Sequence, residues 1–93
     1  MTPEEELDYC LLSDQVNYLK NVTPEIIKCS MDEYFKQYPW ISMETAKKSF
    51  NYSFQSAKNL FNENINYFKE PFLSLAQEGM TEVERILVII NEL

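Results

Sequence analysis

The chain has no histidine, a single glycine and only two cysteines in 93 residues. Without histidine there is no Ser–His or Cys–His catalytic pair and no zinc site with imidazole ligands. Cys10 and Cys29 are too few for a four-thiolate zinc site. One glycine cannot build a phosphate-cradling glycine-rich loop, and it leaves little of the turn chemistry that all-β folds need. Arginine is equally scarce, with Arg85 alone among eight basic residues. No apolar run approaches the roughly 20 residues of a membrane span. The opening Met1–Cys10 is acidic and lacks the basic-then-apolar order of a secretory signal, so a cytoplasmic setting is expected. The cysteines lie among apolar neighbours in helical patterns. They are expected to be small reduced hydrophobes, buried as such cysteines commonly are, with a disulfide as the alternative.

What is present is apolar surface and negative charge. Hydrophobic residues make up 45% of the chain, enough for one small core rather than a disordered tract, and the length suits a single domain over residues 1–93. The net charge is −7, unevenly distributed. Residues 1–33 hold eight acids against two lysines, residues 34–60 four lysines against one acid, and residues 61–93 six acids against two bases. Phosphate-backbone binding relies on Lys and Arg releasing counterions, so direct nucleic-acid binding is not expected. The same charge attracts a basic protein surface and speeds the encounter.

The local signals are helical. Thr2-Pro3-Glu4 and Thr23-Pro24-Glu25 each place a hydroxyl N-cap, a proline at the first helical position and an acid facing the positive end of the helix dipole. Helices are predicted over 3–20 and 24–38, the first closed by Asn21 and the second stopped by Pro39. Ile27, Met31, Tyr34, Phe35 and Tyr38 share one face of the second helix. The first helix is apolar on two faces, with Leu7, Leu11 and Tyr18 on one side and Tyr9, Leu12, Val16 and Leu19 on nearly the opposite side. That pattern predicts a central helix, the alternative being a helix that serves both a core and a partner. Asp14 falls inside the first stripe, which places it near an end of the core or in a hydrogen bond.

After the apolar connector Tyr38-Pro39-Trp40-Ile41, Ser42 can cap a third helix. Phe50, Phe54, Ala57, Phe61, Ile65 and Phe68 recur at helical spacing through an arc of about 100°. Lys47, Lys58 and Lys69 edge that stripe. An unbroken helix over 42–69 is about 40 Å long, whereas a compact chain of this length is roughly 30 Å across. Either the helix breaks at Asn62-Glu63-Asn64 or it projects, and the unbroken phase of the stripe favours continuity. Pro71–Glu78 reads as a short helix stopped by Gly79. Thr81-Glu82-Val83-Glu84 reads as a capping box opening a last helix over 82–92. Ile86–Ile90 is β-branched enough for a strand but has no partner segment. The predicted fold is a compact all-α bundle of about four to five helices.

No residues gather into a catalytic, cofactor or metal site. Glu4, Glu5, Glu6 and Asp8 are adjacent on a helix start and lack the spacing of a calcium loop. Ser74 lacks the preceding aspartate that marks the carrier serine of acyl carrier proteins. The chain is therefore not expected to be an enzyme or to hold a cofactor. The pattern points to a protein-binding module, an inhibitor or adaptor engaging a basic or nucleic-acid-binding surface of a partner protein. Glu4, Glu5, Glu6 and Asp8 would form the acidic patch. Tyr9, Tyr38 and Trp40 would supply aromatic anchors. In size and charge the chain is similar to the small inhibitors that phages and mobile elements encode against host defence or transcription proteins. The alternative is a self-assembling structural protein, a homodimer in the simplest case, that pairs through Phe50, Phe54, Phe61 and Phe68.

Overall fold

In a computed structural model that describes residues 1–67 and 69–93, the chain forms four helices. These are α1 (Pro3–Lys20), α2 (Pro24–Gln37), α3 (Met43–Asn64) and α4 (Phe72–Asn91). The described residues contain no strand, so Ile86–Ile90 is helical. No helix among the described residues is long and apolar enough to cross a membrane.

The first three helices start where their capping residues direct. The Glu5 N–H donates to Thr2 Oγ1, the Ile26 N–H to Thr23 Oγ1 and the Thr45 N–H to Ser42 Oγ, each at 3.2 Å. Pro3 and Pro24 occupy first-turn positions, where a missing N–H costs nothing. Thr23 closes the short link between α1 and α2. Thr23→Ala should cost about 1 kcal/mol, lowering Tm by roughly 5 °C in a domain this small. A thermal melt that did not move would show that tertiary contacts alone set the start of α2.

The third helix ends at Asn64, so the expected continuity through residue 69 is corrected. The Asn64 Nδ2 donates to the Leu60 carbonyl at 2.8 Å, and Ile65 and Tyr67 turn back by i→i−3 bonds onto Asn62 and Asn64. An asparagine that bonds the backbone of its own last turn, followed by tightened bonding, releases the chain from α-geometry. The segment then reaches the cis Glu70–Pro71 peptide bond and enters α4.

The two predicted C-terminal helices are one. Gly79 lies inside α4, fully buried, and Thr81 Oγ1 donates to the Gln77 carbonyl instead of capping a new helix. The buried positions Ala76, Gly79, Val83, Ile86 and Ile90 follow each other at spacings of three and four, a continuous stripe passing through the glycine. A glycine in a helix interior costs up to about 1 kcal/mol relative to alanine. Here it lies where two other helices come closest. A Cβ at Gly79 would stand 3.0 Å from Phe61 Cζ on α3 and 3.3 Å from Val16 Cγ2 on α1.

The central helix is therefore α4, not α1 as the two-faced pattern suggested. Tyr9 meets Phe72, Val16 meets Gly79 and the Leu19 carbonyl meets Arg85, so α1 runs parallel to α4. Phe61 meets Gly79, Lys58 pairs with Glu84 at 2.9 Å, and Asn51 exchanges amide hydrogen bonds with Asn91, so α3 runs antiparallel to α4. Ile27 and Met31 of α2 join Val83, Ile86 and Ile90, which covers the C-terminal half of α4. Full burial of side chains such as Met31, Ile86 and Ile90 contributes about 1.5–3 kcal/mol each.

The bundle is elongated, 49 × 21 × 18 Å, with a radius of gyration of 15.3 Å, against about 12 Å for a compact chain of this length. Because Tyr9 sits level with the first residue of α4, the start of α1 overhangs by about 10 Å. The start of α3 overhangs the other end by a similar distance. Two overhangs on a helix of about 30 Å account for the long axis.

Candidate functional site

The acidic residues Glu4, Glu5, Glu6 and Asp8 all lie on the α1 overhang and are all exposed. Their local partner is Thr2, whose hydroxyl donates to Glu5 Oε1 at 3.2 Å. Among the described residues, none of the four belongs to a salt bridge; the cross-helix pairs Lys20–Glu78 and Lys58–Glu84 lie elsewhere. Their charge faces solvent, and Glu4, Glu5 and Glu6 lie in the first turn, where the helix dipole favours it.

An exposed apolar stripe continues from that patch along α1. Leu7, Leu11 and Tyr18 are 61%, 55% and 68% exposed, whereas Val16 and Leu19 on the other face are buried. The pattern thus separates one core face from one outward face. Asp14 belongs to the outward face and is exposed, which removes the desolvation cost that its position in an apolar stripe seemed to imply. That carboxylate was the one sequence signal that the stripe is solvent-facing.

The three aromatic anchors do not come together. Tyr9 is half-buried, edge-on to Phe72 with centroids 5.8 Å apart, so it serves the bundle. Tyr38 and Trp40 lie at the opposite end of α4, because Tyr34 links Tyr38 to Phe50, next to the Asn51–Asn91 pair. Trp40 is 78% exposed and leans edge-on against Tyr38. The acidic patch and Trp40 are thus separated by about the length of α4, close to 30 Å. The two do not form one contiguous patch.

The phenylalanine stripe faces inward. Phe50, Phe54 and Phe61 pack, half-buried, against the core that α4 and α2 build, and Phe68 lies outside the described residues. Cys10 and Cys29 are both free and exposed, which corrects the expectation of buried thiols. Each falls one or two positions off the buried stripe of its helix. The sole arginine is an internal clamp: Arg85 Nη1 donates to the Val22 carbonyl and Nη2 to the Leu19 carbonyl, each at 2.9 Å, while Nε donates to Glu82 at 2.7 Å.

Sequence reading missed a groove. Both α1 and α3 pack on α4 more extensively than on each other. On one side they leave a cavity of about 670 Å³ between them, with Tyr18 and Leu60 on opposite walls. A second cavity of about 390 Å³ shares Leu12 with it and reaches Glu5 and Asp8. Leu60 lies off the phenylalanine stripe and is 62% exposed, a large apolar side chain on a flank where solvent would favour a polar one. That misplacement was the available signal. Among the described residues, no three Cys, Asp or Glu side chains are grouped as a metal would require. Comparison with protein families, with curated proteins and with solved structures gives no match to this chain.

Proposed function

We propose that this chain is a small protein-binding module, an inhibitor or adaptor that engages a basic surface of a partner protein. A surface used to hold nucleic acid fits that description, because an acidic helix offers it the charge it is built to bind. One observation carries the reading: the exposed acids of the α1 overhang, in no salt bridge among the described residues, continue directly into the exposed stripe of Leu7, Leu11 and Tyr18. Charge at the tip would steer the encounter, and the apolar side chains beside it would supply the contact that holds the complex. In charge and size this remains similar to inhibitors encoded by phages and mobile elements. The self-assembly reading has less support, since Phe50, Phe54 and Phe61 already pack inside the chain.

The test is capture of partners from the native host, followed by kinetics with the purified partner. Glu4→Lys, Glu5→Lys, Glu6→Lys and Asp8→Lys combined should slow association about tenfold or more and flatten its salt dependence. All four positions are exposed, so the fold should persist. Association unchanged by the reversal removes the acidic-patch mechanism.

A further inference from the structure

We infer that the groove between α1 and α3 is a docking site for one amphipathic helix of a partner protein with lysine or arginine flanking its apolar face; this deepens the binding-module reading and rests on it. Beside the C-terminal half of α4, α2 takes over from α1, with Ile27 and Met31 packed among Val83, Ile86 and Ile90. Beside the N-terminal half, α1 and α3 straddle α4 at Gly79 and leave an open groove between them. Leu12, Leu19, Ala57 and Phe61 line its inner surface, buried or half-buried, and the exposed Tyr18 and Leu60 stand at its rims. Through Leu12 the groove continues past Phe72 to Glu5 and Asp8. From Glu5 to Tyr18 it follows α1 for about 20 Å, the length of a helix of three to four turns. An apolar channel of that length accepts a helix through anchors at i, i+3 or i+4 and i+7.

Charge selects the occupant. Glu5, Asp8 and Asp14 line the groove on the α1 side, against Lys69 on the other. A partner helix with basic flanks meets those carboxylates, while an acidic one is repelled. A second copy of this chain has no suitable helix to offer. Its α1 and α4 are acidic, and α2 carries three acids against two lysines. Its α3, the lysine-bearing helix, already uses its apolar face on α4, and its Lys58 already pairs with Glu84. The occupant therefore comes from a different protein.

The probe is a synthetic peptide of about 18 residues with leucines at heptad a and d positions and lysines flanking them. Controls are the same peptide with glutamate for lysine, and a shuffled peptide of the original composition without helical phase. The basic amphipathic peptide should bind in the micromolar range and shift the backbone amide resonances of Leu12, Tyr18, Ala57 and Leu60. Leu60→Ser with Tyr18→Ser, at two exposed sites, should weaken it at least tenfold, and Trp40→Ala should leave it unchanged. No binding at about 100 μM, equal binding of either control, or indifference to the Leu60 and Tyr18 substitutions overturns the groove assignment. So does a dimer in sedimentation that dissociates on Leu60→Ser. Peptide binding that ignores the groove variants but falls on reversal of Glu4, Glu5, Glu6 and Asp8 removes the groove and leaves the binding-module reading standing. If a natural partner binds and neither set of substitutions matters, both readings fail.

Discussion

Gly79→Leu should destabilise the bundle by about 3 kcal/mol or more, the upper end of what overpacking a filled core costs. The reason is local and two-sided. A Cβ alone at this position would already stand 3.0–3.1 Å from the Phe61 ring and 3.3 Å from Val16 Cγ2. Those contacts belong to different helices, so a larger side chain has no single neighbour to displace. It pushes α1 and α3 apart together, along the N-terminal half of α4, where α2 gives no cover. A chain of this length has only about 5–14 kcal/mol of total stability, so the loss is a large fraction of it. Gly79→Ala is the informative companion. Its helix-propensity gain of about 1 kcal/mol is opposed by a shift of a few tenths of an ångström in the tip of the Phe61 ring, and the net change should stay within about 1 kcal/mol of zero. Urea unfolding followed by circular dichroism measures both. Equal stability of Gly79→Leu and the unaltered chain would mean that α1 and α3 do not straddle α4 at this point.

Arg85→Ala should cost about 2–3 kcal/mol, a loss unusual for a side chain that is 39% exposed. The guanidinium reaches from α4 to the C-terminal end of α1, where backbone carbonyls lack intrahelical partners. It donates to the Leu19 and Val22 carbonyls at 2.9 Å and lies 3.5 Å from the Lys20 carbonyl. Its charge also meets the negative end of the α1 dipole. The Glu82 pair contributes little beside this, because it is a local i,i+3 pair partly open to water. Arg85→Lys should recover less than half of the loss, since an ammonium lacks the planar fork that meets two carbonyls at once. Full recovery by lysine would show that charge rather than geometry holds the α1–α2 corner. Either variant should leave the start of α1 and its acidic patch intact, so association with a basic partner should change less than stability does.

The local grammar of the chain was legible without coordinates. Thr2, Thr23 and Ser42 cap where hydroxyls precede helical runs, Pro3 and Pro24 take first-turn positions, and the bounds of α1 and α2 follow within a residue. The inward face of α2 was equally plain. Gly79 misled because glycine is a common helix terminator and also the residue that permits close helix approach, and composition does not separate the two. The continuous phase of Ala76, Gly79 and Val83 pointed to the second role. The end of α3 was misjudged for a related reason: the apolar stripe stays in phase through Asn62–Asn64, but phase does not report a side chain that bonds its own last turn.

The candidate site was legible in part. The acidic residues were identifiable from charge alone, and the structure leaves them exposed and without salt bridges among the described residues. The direction of the two apolar faces of α1 was not. Leu7, Leu11 and Tyr18 have the same composition and spacing as a core stripe, and only the position of α4 decides that they face water. Tyr9 and Trp40, both expected as anchors, part in the same way, one drawn against Phe72 and the other left open.

What the amino-acid sequence determines by itself is helical class, the N-caps of the first three helices, net charge and the absence of imidazole chemistry. Tertiary structure alone decided which helix is central, where α1 and α3 part to form a groove, and that the acidic patch and Trp40 lie at opposite ends. Those properties depend on which of several similar apolar stripes pack together. That choice follows from side-chain volume and close approach between segments distant in the chain, as at Gly79, Phe61 and Val16, rather than from the periodicity of any one of them.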